Sequence, residues 1–239
     1  TVARRAAGDT RPAPPFVDSF IAEEVAPDQT VHVTIRATVS EDLTAYIRSL
    51  GASEVAVFAR FDTVTARLPL DAFVALLGNV FEHSPWVAQA AWPQRPFAGV
   101  AGLHASMLQA VREASPVQQL ALLRAHPELA GREAQTGTLT EASDSEQLSA
   151  GLKSLRPDEL ASMSALNAGY LGKHGFPFIV CVRHYTKAGI FHEMARRSAH
   201  DTPREMVEAL DQVAAITRLR LAALFPADST LTPTWRNPP

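Results

Sequence analysis

His126, Ser143, Glu146 and Gln147 all fall in one stretch, HPELAGREAQTGTLTEASDSEQ, residues 126–147. A histidine, a hydroxyl, a carboxylate and an amide so close together can move a proton, steer a charge and hold a polar ring. The stretch is polar, punctuated by Gly131 and Gly137, and lies between two segments with helical periodicity. Polar connections held by rigid helices are a common place for chemistry.

What these side chains do together depends on where the helix of the 140s begins. A start at Ser143 makes Ser143 and Glu146 a capping box, which engages both side chains with backbone N–H groups. Local sequence alone leans this way, because the Ser-x-x-Glu string is a common helix opening. A start one turn earlier, with Thr140 as N-cap and Glu141 in the first turn, puts Ser143, Glu146 and Gln147 on one face. His126 carries its own bland reading, as a cation that suits the C-terminal end of a helix dipole.

Behind that stretch the elements follow from periodicity and punctuation. Residues 1–15 (TVARRAAGDTRPAPP) have no periodicity and read as a disordered tail. Residues 30–39 alternate like a strand, 41–50 read as a short helix between Ser40 and Gly51, and 55–61 are again β-like. From Asp62 onward the pattern reads as helical. The segments are LPLDAFVALLGNVFEHSP, SPWVAQAAW, residues 100–114, a helix opened by Ser115-Pro116, the helix of the 140s, PDELASMSALNAGYLGKHG, and a long helix from Thr202-Pro203. Phe176 to Val182 (FPFIVCV) breaks this pattern, because β-branched and aromatic residues favour an extended chain. With no strand after residue 62 to pair with it, its backbone needs other partners. A planar polar ligand is one source; the N-terminal strands or a helix end are the others.

Composition narrows the classes. A net charge of −3 and a pI near 6.2 argue against nucleic acid and anionic membrane as partners. The single cysteine, Cys181, excludes an internal disulfide, and a reduced, cytoplasmic setting is expected. No apolar run approaches a membrane span, and the start has no signal-peptide core.

Four ordered strings, HPELAG, SDSEQLSAGL, LNAGY and GFPFIVCVR, resemble the 2-oxo-4-hydroxy-4-carboxy-5-ureidoimidazoline (OHCU) decarboxylase family, and EHSPWVAQAAWPQRPF upstream also matches. The resemblance covers about residues 62–225 and leaves 1–61 as an extension of unnamed role and 226–239 as a loose tail. It implies an all-α, bundle-like domain with one short extended segment, here preceded by a small strand–helix–strand extension. It also implies a homodimer, no cofactor or metal, and decarboxylation of OHCU to (S)-allantoin in urate breakdown.

Carried over residue by residue, the resemblance makes His126 the catalytic histidine, with Glu146 sharing the catalytic work. Pro127 lies beside His126, and Ser143, Asp144, Ser145, Glu146 and Gln147 form the substrate-binding helix segment. Phe178, Ile179, Val180, Cys181 and Val182 form the extended segment whose backbone receives the ligand. The resemblance favours the Thr140 helix start. His174 departs from it, standing where the family usually has phenylalanine, and HYTKAG departs in the turn after Arg183.

Such a decarboxylase must hold a leaving carboxylate out of the ring plane, stabilise the developing negative charge and deliver a proton to one face. Two other classes stay open. A metal-dependent hydrolase lacks any His-x-x-x-His or His-Glu-x-x-His pairing in this sequence. A non-catalytic helical interaction module would explain the amphipathic helices but not the reactive cluster. Cys181 is a poor nucleophile, because an apolar run raises a thiol's pKa.

Overall fold

The computed structural model describes residues 19–25, 30–36, 40–61 and 63–225. The expected tails at 1–15 and 226–239 lie outside the described residues. The described chain is mostly helical, with a small antiparallel sheet near its N-terminal end. It divides into two compact units: residues up to 80 with 85–113 and 218 onward, and residues 81–84 with 114–217.

In the first unit the sheet has the order β1-β2-β4-β3, with β1 at Ser19–Val25, β2 at Val31–Arg36, β3 at Ser53–Phe58 and β4 at Thr63–Leu68. Every neighbouring pair is antiparallel. This corrects the expected strand–helix–strand extension and the helical reading from Asp62 onward. β4 lies between β2 and β3, its register running from Val31 opposite Leu68 to Arg36 opposite Thr63. Its sequence alternates, burying Val64, Ala66 and Leu68 on one face. Helix α1 (Glu41–Ser49) is capped by Ser40, whose Oγ accepts from the Leu43 N–H at 3.1 Å. It buries Leu43, Tyr46 and Ile47. Helices α2 (Leu70–Leu77), α3 (Trp86–Ala91) and α4 (Gly99–Glu113) also belong to this unit. Phe73 packs on Trp92 and Phe97 at ring separations of 5.0 and 6.0 Å.

The second unit carries α5 (Pro116–Arg124), α6 (Arg132–Thr136), α7 (Glu141–Ser149), α8 (Pro157–His174), α9 (Lys187–Ser198) and α10 (Thr202–Leu224) up to residue 217. A capping box does form in this unit, at Ser115 and Gln118 rather than at Ser143 and Glu146. The aromatic run after α8 joins no sheet: Pro177 to Cys181 has neither helix nor ladder, and Val182–His184 is a 3-10 turn. The expected extended segment therefore ends one residue early, at Cys181. The segment from Phe176 to Val182 is buried throughout.

Candidate functional site

Helix α7 opens at Thr140, whose side chain accepts from the Ser143 N–H at 3.3 Å. The earlier start is the one adopted, so Ser143, Glu146 and Gln147 share a face. Ser143 and Gln147 are buried, Glu146 is half-buried, and Ser145 is exposed. Asp144 pairs with Lys153. Ser145 and Asp144 thus stand apart from the face on which the other three converge.

Each buried polar group on that face has a partner. Ser143 Oγ donates to Glu82 Oε2 at 2.9 Å, and Thr140 Oγ1 donates to Glu82 Oε1 at 2.5 Å. Glu82 is itself buried, so one carboxylate anchors the first turn of α7 through two hydroxyls. Sequence reading passed over Glu82. Its position inside the matching EHSP string was the available signal.

The Gln147 amide grips the loop that follows His126. Its Oε1 accepts from the Ala130 N–H at 2.8 Å, and its Nε2 donates to Glu128 O at 3.3 Å. Asn167 on α8 adds a bond from Nδ2 to Leu129 O at 2.9 Å. The loop needs such holding, because Ala130 has φ +50, a left-handed conformation that costs a non-glycine residue about 1 kcal/mol or more. Gly131 is required for space, since a Cβ there would lie 2.7 Å from Glu128 Cβ.

His126 is buried at the end of α5, and its Nδ1 lies 3.0 Å from Leu122 O. A carbonyl oxygen only accepts, so Nδ1 carries a proton and the neutral ring has its lone pair on Nε2. Pro127, beside it, is half-buried. Gln147 thus ties α7 to the loop that follows His126, while Ser143 ties α7 to Glu82 and His126 is held by the last turn of α5.

Helix α7 contacts the 3-10 turn at 182–184, which directly follows the extended segment. Burial, and then the charge of Glu146, pushes the Cys181 thiol up to about 11. This thiol is a neutral packing group at ordinary pH, as its apolar setting led one to expect. Phe178, Ile179, Val180 and Cys181 lie in the segment, and Val182 opens the turn.

A second polar cluster, which sequence reading missed, surrounds Arg197 and Glu205. Arg196 and Arg197 stand on α9, Glu205 and Glu208 on α10, and His200 in the turn between them. Three potential metal ligands there, His200, Glu205 and Glu208, lie within 4.8 Å of one another. Their partners argue against a cation. Arg196 donates from Nη1 to His200 Nε2 at 3.1 Å, so the His200 proton sits on Nδ1 and donates to Glu205 Oε2 at 2.9 Å. Glu208 and Glu205 already face the guanidinium groups of Arg196 and Arg197, at 2.6 and 2.5 Å.

A family model described as OHCU decarboxylase matches residues 66–222. A protein of Haloferax volcanii named 2-oxo-4-hydroxy-4-carboxy-5-ureidoimidazoline decarboxylase is 42% identical over 162 residues, 68% of this chain and 94% of that one. A uric acid degradation bifunctional protein of Bacillus sp. is 38% identical over 156 residues, 64% of this chain and 30% of that one. Among solved structures, that of an (S)-allantoin synthase aligns with a TM-score of 0.52 and 30% identity, covering 65% of this chain and 50% of that one.

Proposed function

Since the chain belongs to the OHCU decarboxylase family, we infer that it is a carboxy-lyase converting OHCU to (S)-allantoin in urate breakdown. The observation that carries this reading is the His126 tautomer. Its Nδ1–H is held by Leu122 O, so Nε2 is the nitrogen that exchanges a proton with a ligand.

The substrate's name places hydroxyl and carboxylate on one ring carbon and the ureido group on its neighbour. When the bond to the carboxylate breaks, carbon dioxide leaves and the electron pair passes to the neighbouring carbon and its ring C=N, whose nitrogen takes a proton from solvent. His126 Nε2 removes the hydroxyl proton, so that a carbonyl forms, and returns it to one face of the ureido-bearing carbon. That delivery sets the (S) configuration. The framework fits these demands. Gln147 and Asn167 fix the loop beside His126, and Glu146 lays negative charge towards the Cys181 region. Glu146 in this reading orients the substrate hydroxyl or repels the departing carboxylate. Pro127, Ser143, Gln147 and the 178–182 segment form the rest of the binding surface, with Asp144 and Ser145 at its outer edge. No metal or cofactor enters the scheme.

A homodimer is supported by α8, whose exposed Ala161, Ala165, Ala168 and Gly172 form a smooth face of small side chains. Sedimentation of a monomer at working concentration would overturn that. A cytoplasmic setting rests on the lone buried thiol, and no helix among the described residues is long and apolar enough to cross a membrane. The decarboxylase domain is proposed to span 62–225 and to be folded together with the strands that precede it, since β4 lies between β2 and β3.

The test of function follows freshly generated OHCU by circular dichroism with the protein, with its His126→Asn variant and with a chelator. Fast appearance of (S)-allantoin, insensitive to chelator and lost in the variant, is expected. Decay no faster than without protein sinks the reading.

A further inference from the structure

Arg197 is fully buried, and its guanidinium reaches three ways. Nε and Nη2 donate to Glu205 Oε1 at 2.8 and 2.5 Å, and Nη1 donates to the main-chain oxygen of Ile179 at 2.8 Å. Its charged carbon also lies 4.6 Å from the centre of the Phe178 ring. Glu205, equally buried, accepts from the Tyr170 hydroxyl on one oxygen and from His200 on the other. The Tyr170 ring stands edge-on to Phe178 at 5.2 Å.

A buried ion pair is a poor way to add stability, since well-packed apolar side chains of similar size do as well or better. What an apolar set cannot do is fix a main-chain carbonyl. A guanidinium can, because its rigid fork binds a carboxylate with two arms and leaves a third for another acceptor.

The consequence shows along the segment. Ile179 gives its carbonyl to Arg197. Two residues on, the Cys181 N–H donates to Gln212 Oε1 at 2.9 Å and the Cys181 carbonyl accepts from the His184 N–H at 2.9 Å. Between them Val180 is buried, and neither its N–H nor its C=O has a hydrogen-bond partner among the described residues. This is the period of two that an extended chain imposes, one edge tied to the protein and the other left with a donor and an acceptor. Buried backbone groups are rarely left that way without a ligand or solvent to meet them.

We propose that Arg197 is a positioning residue: held by Glu205 and Tyr170, it fixes the Ile179 carbonyl and so presents the Val180 N–H and C=O to the amide-like edge of a planar ligand. The proposal rests on the reading that residues 178–182 receive the ligand. It assigns the buried cluster a task at a distance, acting through main chain rather than by touching substrate.

Two variants test it. Arg197→Lys keeps the charge and loses the fork, and Tyr170→Phe removes one hydroxyl while keeping the ring against Phe178. Both are assayed for KM and kcat with OHCU, for inhibition by (S)-allantoin, and for melting temperature. Contacts made equally in ground and transition states raise KM and spare kcat. Arg197→Lys is therefore expected to raise KM and the (S)-allantoin inhibition constant by about tenfold, with kcat within about threefold, and Tyr170→Phe to move the same way by less. Unchanged KM and inhibition constant, whatever happens to melting or kcat, would overturn the proposal. If Arg197→Lys does not fold, Tyr170→Phe decides by the same criterion. Wild-type protein that neither turns over OHCU nor binds (S)-allantoin would mark failure of the functional reading. Wild-type turnover with unmoved variants would mark failure of this inference alone.

Discussion

The two units bury different kinds of side chain. In the first, the interior is made by Val33, Leu43, Ile47, Val64, Leu68 and Phe73 with their apolar neighbours, and among the described residues only Thr44, His104 and Arg220 are buried polar groups. The other buried polar side chains among the described residues, from Glu82 to Thr217, belong to the second unit. Burying a polar group costs free energy unless it is hydrogen-bonded, and even then the net gain is small. An interior of the first kind is read most simply as stability. One of the second kind fixes positions: Glu82 holds the start of α7, Gln147 and Asn167 hold the loop after His126, and Arg197 holds Ile179. Damage to the first unit should appear as lost stability, and damage to the second as lost function.

The harshest test of that division is to cut the chain before Thr63. β4 would lose β2 and β3 together, exposing Val64, Ala66 and Leu68 along an unpaired strand. The first unit is expected to lose cooperative melting in calorimetry. A cut protein that melts like the full chain would make the sheet an accessory, and would favour a domain boundary at residue 62. Next in size, His126→Asn should lower turnover by about 10²–10⁴, the usual worth of a positioned acid or base, with little change in melting temperature. Near-normal turnover would remove His126 from the chemistry.

His104 tests the first unit by pH. Burial, then the charges of Arg218 and Arg112, lowers its pKa to about 4, against about 6.5 for a solvated histidine. In acid the unfolded chain takes up a proton that the folded one refuses. The contribution is fully present above about pH 6.5 and is lost as pH falls towards 4. The loss amounts to about 3 kcal/mol across that window. In His104→Gln that part of the acid sensitivity should vanish, so urea melts of wild type and variant should converge as pH falls from 7 to 4. Parallel stability curves would place the acid sensitivity elsewhere.

Legibility in the sequence followed the range of the interactions. Helix ends were readable because caps are local: Ser40, Ser115 and Gly175 mark boundaries that the structure adopts. β4 was also written locally, as Thr63-Val64-Thr65-Ala66-Arg67-Leu68, but the helical segment directly after it masked the alternation. The unpaired state of the 177–181 segment was foreseeable, since too few strands surround it. Its holders were not. Arg197 and Gln212 lie 18 and 31 residues away from the groups they bind, and nothing in a local window distinguishes them from surface side chains. Glu82, 61 residues from Ser143, was hidden for the same reason.

The smallest expected effect comes from Thr140, where two readings of one stretch part company. Thr140 is both the N-cap of α7 and a donor to Glu82. Thr140→Ala removes one cap and one hydroxyl, and loss of a cap costs about 0.5–2 kcal/mol. Glu82 would keep the Ser143 hydroxyl, so its buried carboxylate would not be left bare. Thermal melts are expected to show a loss within that cap range. Glu146→Gln in the same experiment should cost less than Thr140→Ala, because the N-cap of α7 is Thr140. If Glu146→Gln instead costs as much as Thr140→Ala, the helix has an alternative start at Ser143 in solution. A loss well above the cap range in Thr140→Ala would mean that Glu82 depends on both hydroxyls. The polar interior of the second unit would then contribute to stability as much as to position.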